Sequence, residues 1–196
     1  SEAGAQPMAS RDGRWLISFN GEIYNHLDLR RELPGPWRGH SDTETLLAGF
    51  DAWGIEATLK RAVGMFAFAL WDQAERILHL ARDRMGEKPL YYGWLRHGDA
   101  RAFVFGSELK ALRAYPGFDN PVCREALAQY MRLMYVPAPL SIYEGIYKLE
   151  PGCLLTVDRQ VLSKTDVNIT RWWSLAGAVE AGAQNPMGSD AEAVDL

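Results

Sequence analysis

The chain has 196 residues, 47% of them hydrophobic and 11% aromatic, which suffices for one well-buried domain with a short extension. Its formal net charge of -4, with Lys and Arg scattered rather than gathered in a basic run, argues against a nucleic-acid-binding surface. No apolar stretch is long enough to cross a bilayer and no signal peptide is visible.

The elements follow in chain order. Residues 1–10 read as a loop. Residues 14–19 form a β-branched and aromatic run, a strand ending at Asn20-Gly21. Residues 26–33 read as a short helix with Asn25 as N-cap, stopped by Pro34-Gly35-Pro36. Ser41-Asp42-Thr43-Glu44 fits a capping box, with Ser41 as N-cap and Glu44 three residues on. The helix it opens carries Leu46, Leu47, Phe50 and Trp53 at helical spacing and ends near Gly54. A second helix over 55–62 is closed by Gly64.

A block of strands comes next, over 65–71 and 76–82 with a turn at 72–75, then over 90–95 and 101–105 around Gly98-Asp99. Helices are expected over 108–114 and 124–133, and a Pro-rich bend at Val136-Pro137-Ala138-Pro139. A last strand over 153–157 turns at Asp158-Arg159 into Val161-Leu162. Helices, then antiparallel strands, then helices make an α+β pattern. Strands that read as continuous apolar runs point to sheets covered on both faces. The aromatic stripe Phe66, Phe68 and Trp71 reads as core, and Tyr91 and Tyr92 fall on opposite strand faces.

Beyond Trp173 the chain is rich in Ala, Gly and Asn, and residues 176–188 read as a linker. Ser189-Asp190-Ala191-Glu192 is a second capping box, opening residues 189–196 as the start of a further domain.

The candidate chemistry lies at Asn20-Gly21. A side-chain amide beside a bare backbone N–H can hold a developing oxyanion; the same pair is also a strong turn former. Asp42 can hold an ammonium group by charge-assisted hydrogen bonds, or simply favour its helix N-terminus. Glu22 reads either as a pocket residue or as a solvated one. The charges Arg82, Asp83, Arg84, Glu87 and Lys88 read as a surface ion-pair network of little energetic consequence. The two cysteines, Cys123 and Cys153, lie in no CxxC or Cys/His pattern; they read as reduced, structural thiols, with no metal site expected.

Five blocks in order resemble the N-terminal glutaminase domain of glutamine-hydrolysing asparagine synthetases, a class II glutamine amidotransferase. They are Phe19-Asn20-Gly21-Glu22-Ile23-Tyr24-Asn25, Ser41-Asp42-Thr43-Glu44, the run 64–72, the run Ala81-Arg82-Asp83-Arg84-Met85-Gly86-Glu87-Lys88-Pro89-Leu90-Tyr91-Tyr92, and the run 107–112. The resemblance covers the chain to about Trp173, giving a glutaminase domain over 1–175. It implies a four-layer αββα sandwich of antiparallel sheets, the N-terminal-nucleophile hydrolase type, here without its first segment. It also implies an oxyanion hole made by Asn20 and Gly21, a glutamine α-amine held by Asp42, and Glu22 in the substrate pocket. The charged run at 82–88 would shape a loop near a domain junction.

In that family an N-terminal cysteine attacks the glutamine amide, with its own α-amine as base. This chain opens on Ser1-Glu2-Ala3-Gly4, so the expectation is a site without its nucleophile and no glutamine hydrolysis by the chain alone. The resemblance further implies a cytoplasmic protein whose partners are glutamine, aspartate and ATP, with ATP and magnesium bound in a synthetase domain outside this chain. A homodimer is a family-level expectation. Two other readings are an amidotransferase for a different carboxylate, such as a surface-polysaccharide sugar acid, and a non-catalytic glutamine-binding or docking module. The motif set disfavours the phosphoribosyl-pyrophosphate and hexosamine branches of the superfamily.

Overall fold

The computed structural model describes residues 4–97, 100–158 and 167–185. The turns at Gly98-Asp99 and at Arg159 to Leu162, and the capping box at 189–192, lie outside the described residues.

Among the described residues nine strands pair antiparallel throughout and form two sheets. The larger has the order β1 (Met8–Ala9), β2 (Trp15–Ile23), β3 (Gly64–Asp72), β4 (Ile77–Arg82), β8 (Cys153–Val157), β9 (Asn168–Arg171). The smaller has the order β6 (Ala100–Gly106), β5 (Tyr91–His97), β7 (Ile146–Lys148). Helices α1 (His26–Glu32), α2 (Asp42–Trp53) and α3 (Ile55–Arg61) follow β2, and α4 (Leu109–Arg113) and α5 (Arg124–Leu133) follow β6.

The alternation of β3 explains the layering. Phe66, Phe68 and Leu70 point to one face, where they pack with Leu46, Leu47 and Phe50 of α2. Ala67 and Ala69 point to the other, where small side chains let the second sheet approach; there they meet Leu80, Tyr92 and Leu155. On the far side of the second sheet Leu95 and Ile146 pack with Leu112 of α4. The result is the expected helix–sheet–sheet–helix order, and β3 is buried on both faces from Phe66 to Leu70. Tyr92 lies between the sheets and Tyr91 on the outer face, as period-two alternation requires. The stripe Phe66, Phe68 and Trp71 is corrected by the same rule: Trp71 is odd in register, half-buried, and lies on the opposite face.

Local sequence is read differently in several places. Met8–Ala9 is a strand rather than loop, pairing with Leu16 and Ile17. Strands β7 and β9 have no distinct apolar run, and all four residues of β9 are exposed. The capping box at Ser41 forms only by half. Ser41 Oγ accepts the Thr43 N–H at 3.1 Å, but Glu44 turns away to accept Arg38 and Gly39 N–H groups at 2.7 and 3.1 Å and to meet Arg30 at 3.3 Å. Asn25 precedes α1 without capping it; its side chain donates to Arg61 O at 3.0 Å and accepts Val63 N–H at 2.9 Å, tying α1 to the start of β3. The stretch read as linker is helical over α6 (Leu175–Gln184), capped by Ser174 and with no buried residue, so it leans on nothing in the sandwich. Among the described residues no helix is long and apolar enough to cross a membrane.

Candidate functional site

Asn20 and Gly21 are not a turn at the end of a strand. They lie inside β2, paired with Ala67 and Phe66 of β3, and the strand runs on to Ile23 opposite Gly64. The run of apolar residues breaks at Asn20, which hid the continuation; the register is held by backbone pairing and by Ile23, buried in the core beyond the break.

Parity along β2 places the hydrogen-bonding groups. Phe19 N–H points away from β3 and donates to Gln6 Oε1 at 2.6 Å. Ile23 N–H points the same way and donates to Asp42 Oδ2 at 2.9 Å. Gly21 lies midway, so its N–H faces the same outer edge. On the other strand both main-chain groups of Phe66 turn from Gly21 to Asp83: Phe66 N–H donates to Asp83 Oδ2 at 3.2 Å, and Asp83 N–H to Phe66 O at 2.8 Å. Gly21 and Phe66 are thus a non-hydrogen-bonded pair, the kind in which strands lie closest. A Cβ on Gly21 would run into Met65 O and lie 2.6 Å from Phe66 Cα, so no side chain fits there.

Asn20 has the opposite parity. Its partner Ala67 belongs to the core between the sheets, and Asn20 itself is exposed at the rim where that sandwich opens. Its Nδ2 donates to Ser107 Oγ at 3.0 Å, just past the end of β6 in the other sheet. Glu22 shares the face of Asn20 and is exposed. The Tyr24 hydroxyl is pushed above its ordinary value, first by desolvation and then by the carboxylates of Glu87, Glu22 and Asp83, so this end of β2 is an acidic neighbourhood.

Asp42 opens α2 and is half-buried. Besides the Ile23 bond, its Oδ1 accepts the Thr43 N–H at 2.8 Å. It therefore pins the end of β2 to the start of α2; Oδ1 also accepts the Thr43 hydroxyl at 3.4 Å, so the spare lone pair lies on Oδ2. Asn20, Gly21, Glu22 and Asp42 fall on one short segment of β2 and the helix terminus bonded to it.

The charged run at 82–88 is not a surface ion-pair network. Arg82 and Asp83 are buried, and both spend their charge on backbone groups. Asp83 accepts Phe66, Met85, Glu87 and Lys88 N–H groups at 3.0 to 3.2 Å. Arg82 donates to the carbonyls of Lys88, Leu149 and Gly86; burial lowers its pKa, and Asp83 works against that shift. Arg84 donates to Ala62 O and Lys60 O at the end of α3. The run folds a tight loop whose anchor, Asp83, also backs the strand opposite Gly21.

Neither cysteine bonds to these residues. Cys153 is buried between the sheets, and burial raises its thiol pKa; Cys123 Sγ accepts the Ala126 N–H at the start of α5. Sequence reasoning assigned no role to Ser107 or Gln6. Ser107 sits in a block that carried the resemblance, but nothing local ties it to Asn20, 87 positions earlier.

The two antiparallel sheets between helices, with this strand at their open rim, make an αββα sandwich, the fold type of N-terminal-nucleophile proteins. The solved structure of a glutamine phosphoribosylpyrophosphate (PRPP) amidotransferase from B. subtilis, complexed with ADP and GMP, has this fold: the TM-score is 0.61 over 88% of this chain and 33% of that one, at 21% identity. The family model of the glutamine amidotransferase domain matches residues 1–173, and the chain belongs to that family. It is 38% identical over 182 residues to asparagine synthetase [glutamine-hydrolyzing] 3 of Bacillus subtilis (strain 168), covering 89% of this chain and 28% of the relative. It is 41% identical over 167 residues to a putative asparagine synthetase [glutamine-hydrolyzing] of Mycobacterium tuberculosis (strain ATCC 25618 / H37Rv), covering 82% of this chain and 24% of the relative. The chain thus spans roughly a quarter of the length of these relatives.

Proposed function

We propose that this domain holds L-glutamine with its side-chain amide at Asn20 and Gly21, and serves a protein that amidates ATP-activated aspartate. The observation that supports this reading most directly is the outer edge of β2. Phe19 and Ile23 N–H groups are occupied there by Gln6 and Asp42, and Gly21 N–H between them is directed at the same edge. With the Asn20 carboxamide beside it, two donors lie where a carbonyl oxygen gains negative charge during attack on the amide. Losing one such donor costs about 2.7–4 kcal/mol of transition-state stabilisation.

The acidic surroundings suit the other end of the substrate. The α-ammonium of glutamine is drawn to Asp42, whose Oδ2 accepts one N–H and retains acceptor capacity, with Glu22 adding negative charge nearby. A carboxamide nitrogen released as ammonia stays nucleophilic only while unprotonated, which is why a shielded route to a synthetase domain belongs to this reading. ATP and magnesium act in that domain, and aspartate is the acceptor. The two free thiols fit a reducing cytoplasm.

The test is calorimetric titration of the protein with L-glutamine. Binding that Asn20→Ala weakens and that L-glutamate or L-asparagine do not match supports the reading. Absence of glutamine binding by a folded protein overturns it.

A further inference from the structure

We propose that Ser107 is the positioning residue for the Asn20 carboxamide, so that the second sheet, and not β2 alone, sets the orientation of that donor. The inference rests on the reading of Asn20 as an oxyanion donor and names what makes it competent.

A carboxamide on an exposed strand residue is free to rotate about its terminal torsion, which is broad and nearly two-fold. Asn20 has no neighbour on β2 that holds its side chain: Ser18 and Glu22, on the same face, are both exposed. The hydrogen bond from Nδ2 to Ser107 Oγ at 3.0 Å is the contact the structure gives that group. An amide nitrogen carries two hydrogens in one plane. Giving one to Ser107 fixes the plane of the carboxamide and leaves the second in a set direction for a ligand. A preorganised donor is worth more than a mobile one because the reaction need not pay to orient it.

The place of Ser107 suits this task. It is half-buried, immediately after Gly106, where β6 ends, and immediately before Glu108, which opens α4. A Cβ on Gly106 would lie 3.0 Å from Leu112 Cδ1, and Leu112 is buried beneath the second sheet. The backbone that carries Ser107 is thus held from below by the core. Asn20 stands on one sheet and Ser107 just past the end of β6 of the other, so their bond crosses the rim of the sandwich at the site itself.

The experiment uses the whole chain, labelled with nitrogen-15, and L-glutamine as the probe. In the unsubstituted protein the Asn20 side-chain amide is expected to relax like ordered backbone, and its signals to move on adding glutamine. Ser107→Ala is expected to leave the melting temperature and the backbone spectrum in place, make the Asn20 amide mobile, and weaken glutamine binding by about threefold to tenfold. Ser107→Thr, which keeps the hydroxyl acceptor, is expected to restore both. An Asn20 amide equally ordered in Ser107→Ala, with unchanged glutamine affinity, overturns the role of Ser107 while leaving the oxyanion reading intact. So does a general loss of structure in Ser107→Ala that Ser107→Thr reproduces, since that marks a packing role. Glutamine binding that moves neither Asn20 nor Gly21 signals overturns the oxyanion reading, and the role of Ser107 falls with it.

Discussion

Asp83 satisfies both main-chain groups of Phe66: its carboxylate accepts the Phe66 N–H at 3.2 Å, and its own N–H donates to Phe66 O at 2.8 Å. Asp83 stands one residue past the end of β4, so it continues the ladder with a side chain where the strand has turned away. The strand so held is the one on which Gly21 rests. The same carboxylate accepts three N–H groups of the loop that follows, so one buried residue couples loop, β3 and candidate site.

Replacing Asp83 by asparagine tests that coupling with almost no change of shape. Each carboxylate oxygen accepts two N–H groups, Met85 and Glu87 on Oδ1 and Phe66 and Lys88 on Oδ2. The carboxamide that replaces the carboxylate would set an NH2 group against two of these donors. Leaving a buried donor unsatisfied costs about 1–3 kcal/mol each, so Asp83→Asn is expected to lose about 2–6 kcal/mol in urea unfolding. A loss below about 1 kcal/mol would show that the four bonds do not hold the loop.

Gly21→Ala is expected to destabilise the protein through backbone overlap. The new methyl would meet Met65 O and Phe66 Cα, neither of which is the movable end of a side chain. Overpacking of a tight site costs typically about 1–3 kcal/mol, and this substitution belongs at the upper end because β3 is fixed from behind by Asp83. Thermal unfolding measures it. An unchanged melting temperature would mean that β2 and β3 have room to part.

The pH dependence of stability has an identifiable contributor in His79. Desolvation lowers its pKa below the ordinary 6.5, with Asp72 working weakly the other way, and its Nδ1 lies 3.2 Å from Thr156 Oγ1 on the neighbouring strand. Between the folded-state value and 6.5 the unfolded chain binds more protons, so stability rises with pH in that window. It is fully present above 6.5 and is lost as pH falls through the folded-state value. His79→Gln is expected to flatten this part of the profile, seen by comparing urea midpoints of the two proteins from pH 7.5 down to about 5. Parallel profiles would assign the dependence to other groups.

How much of this was legible in the sequence follows from where burial sets the pattern. The continuous apolar run Phe66 to Leu70 and the helical spacing of Leu46, Leu47 and Phe50 are core signals, and they gave β3 and α2, although the stripe that joined Trp71 to Phe66 and Phe68 crossed from one face to the other. β2 was cut short because Asn20 and Glu22 are exposed and Gly21 has no side chain, which breaks the alternation Trp15, Ile17, Phe19 before it resumes at the buried Ile23. The backbone ladder to β3 carries the strand across that break, and ladders leave little trace in composition. The charged run at 82–88 misled for the opposite reason: charge usually means solvent, but here Arg82 and Asp83 are buried against backbone groups, which a sequence does not display. Asn20 and Asp42 were picked out by motif; the bond from Asn20 to Ser107 crosses two sheets and has no local signature.

Asp42 has two duties, and a pair of substitutions separates them. Structurally its carboxylate accepts Ile23 N–H at 2.9 Å and Thr43 N–H at 2.8 Å, which fastens β2 to α2. Functionally it is proposed to hold the ammonium of glutamine. Asp42→Asn keeps one acceptor oxygen, loses the charge and sets its NH2 against one backbone N–H, so folding should weaken by about 1–3 kcal/mol. A hydrogen bond to a charged group is worth about 1.5–3 kcal/mol, so glutamine affinity should fall by about tenfold to a hundredfold or more. Asp42→Ala removes both acceptors and should weaken folding and binding together. If Asp42→Asn binds L-glutamine as tightly as the unsubstituted protein in calorimetry, the charge is not used on the substrate, and Asp42 is a strand anchor alone.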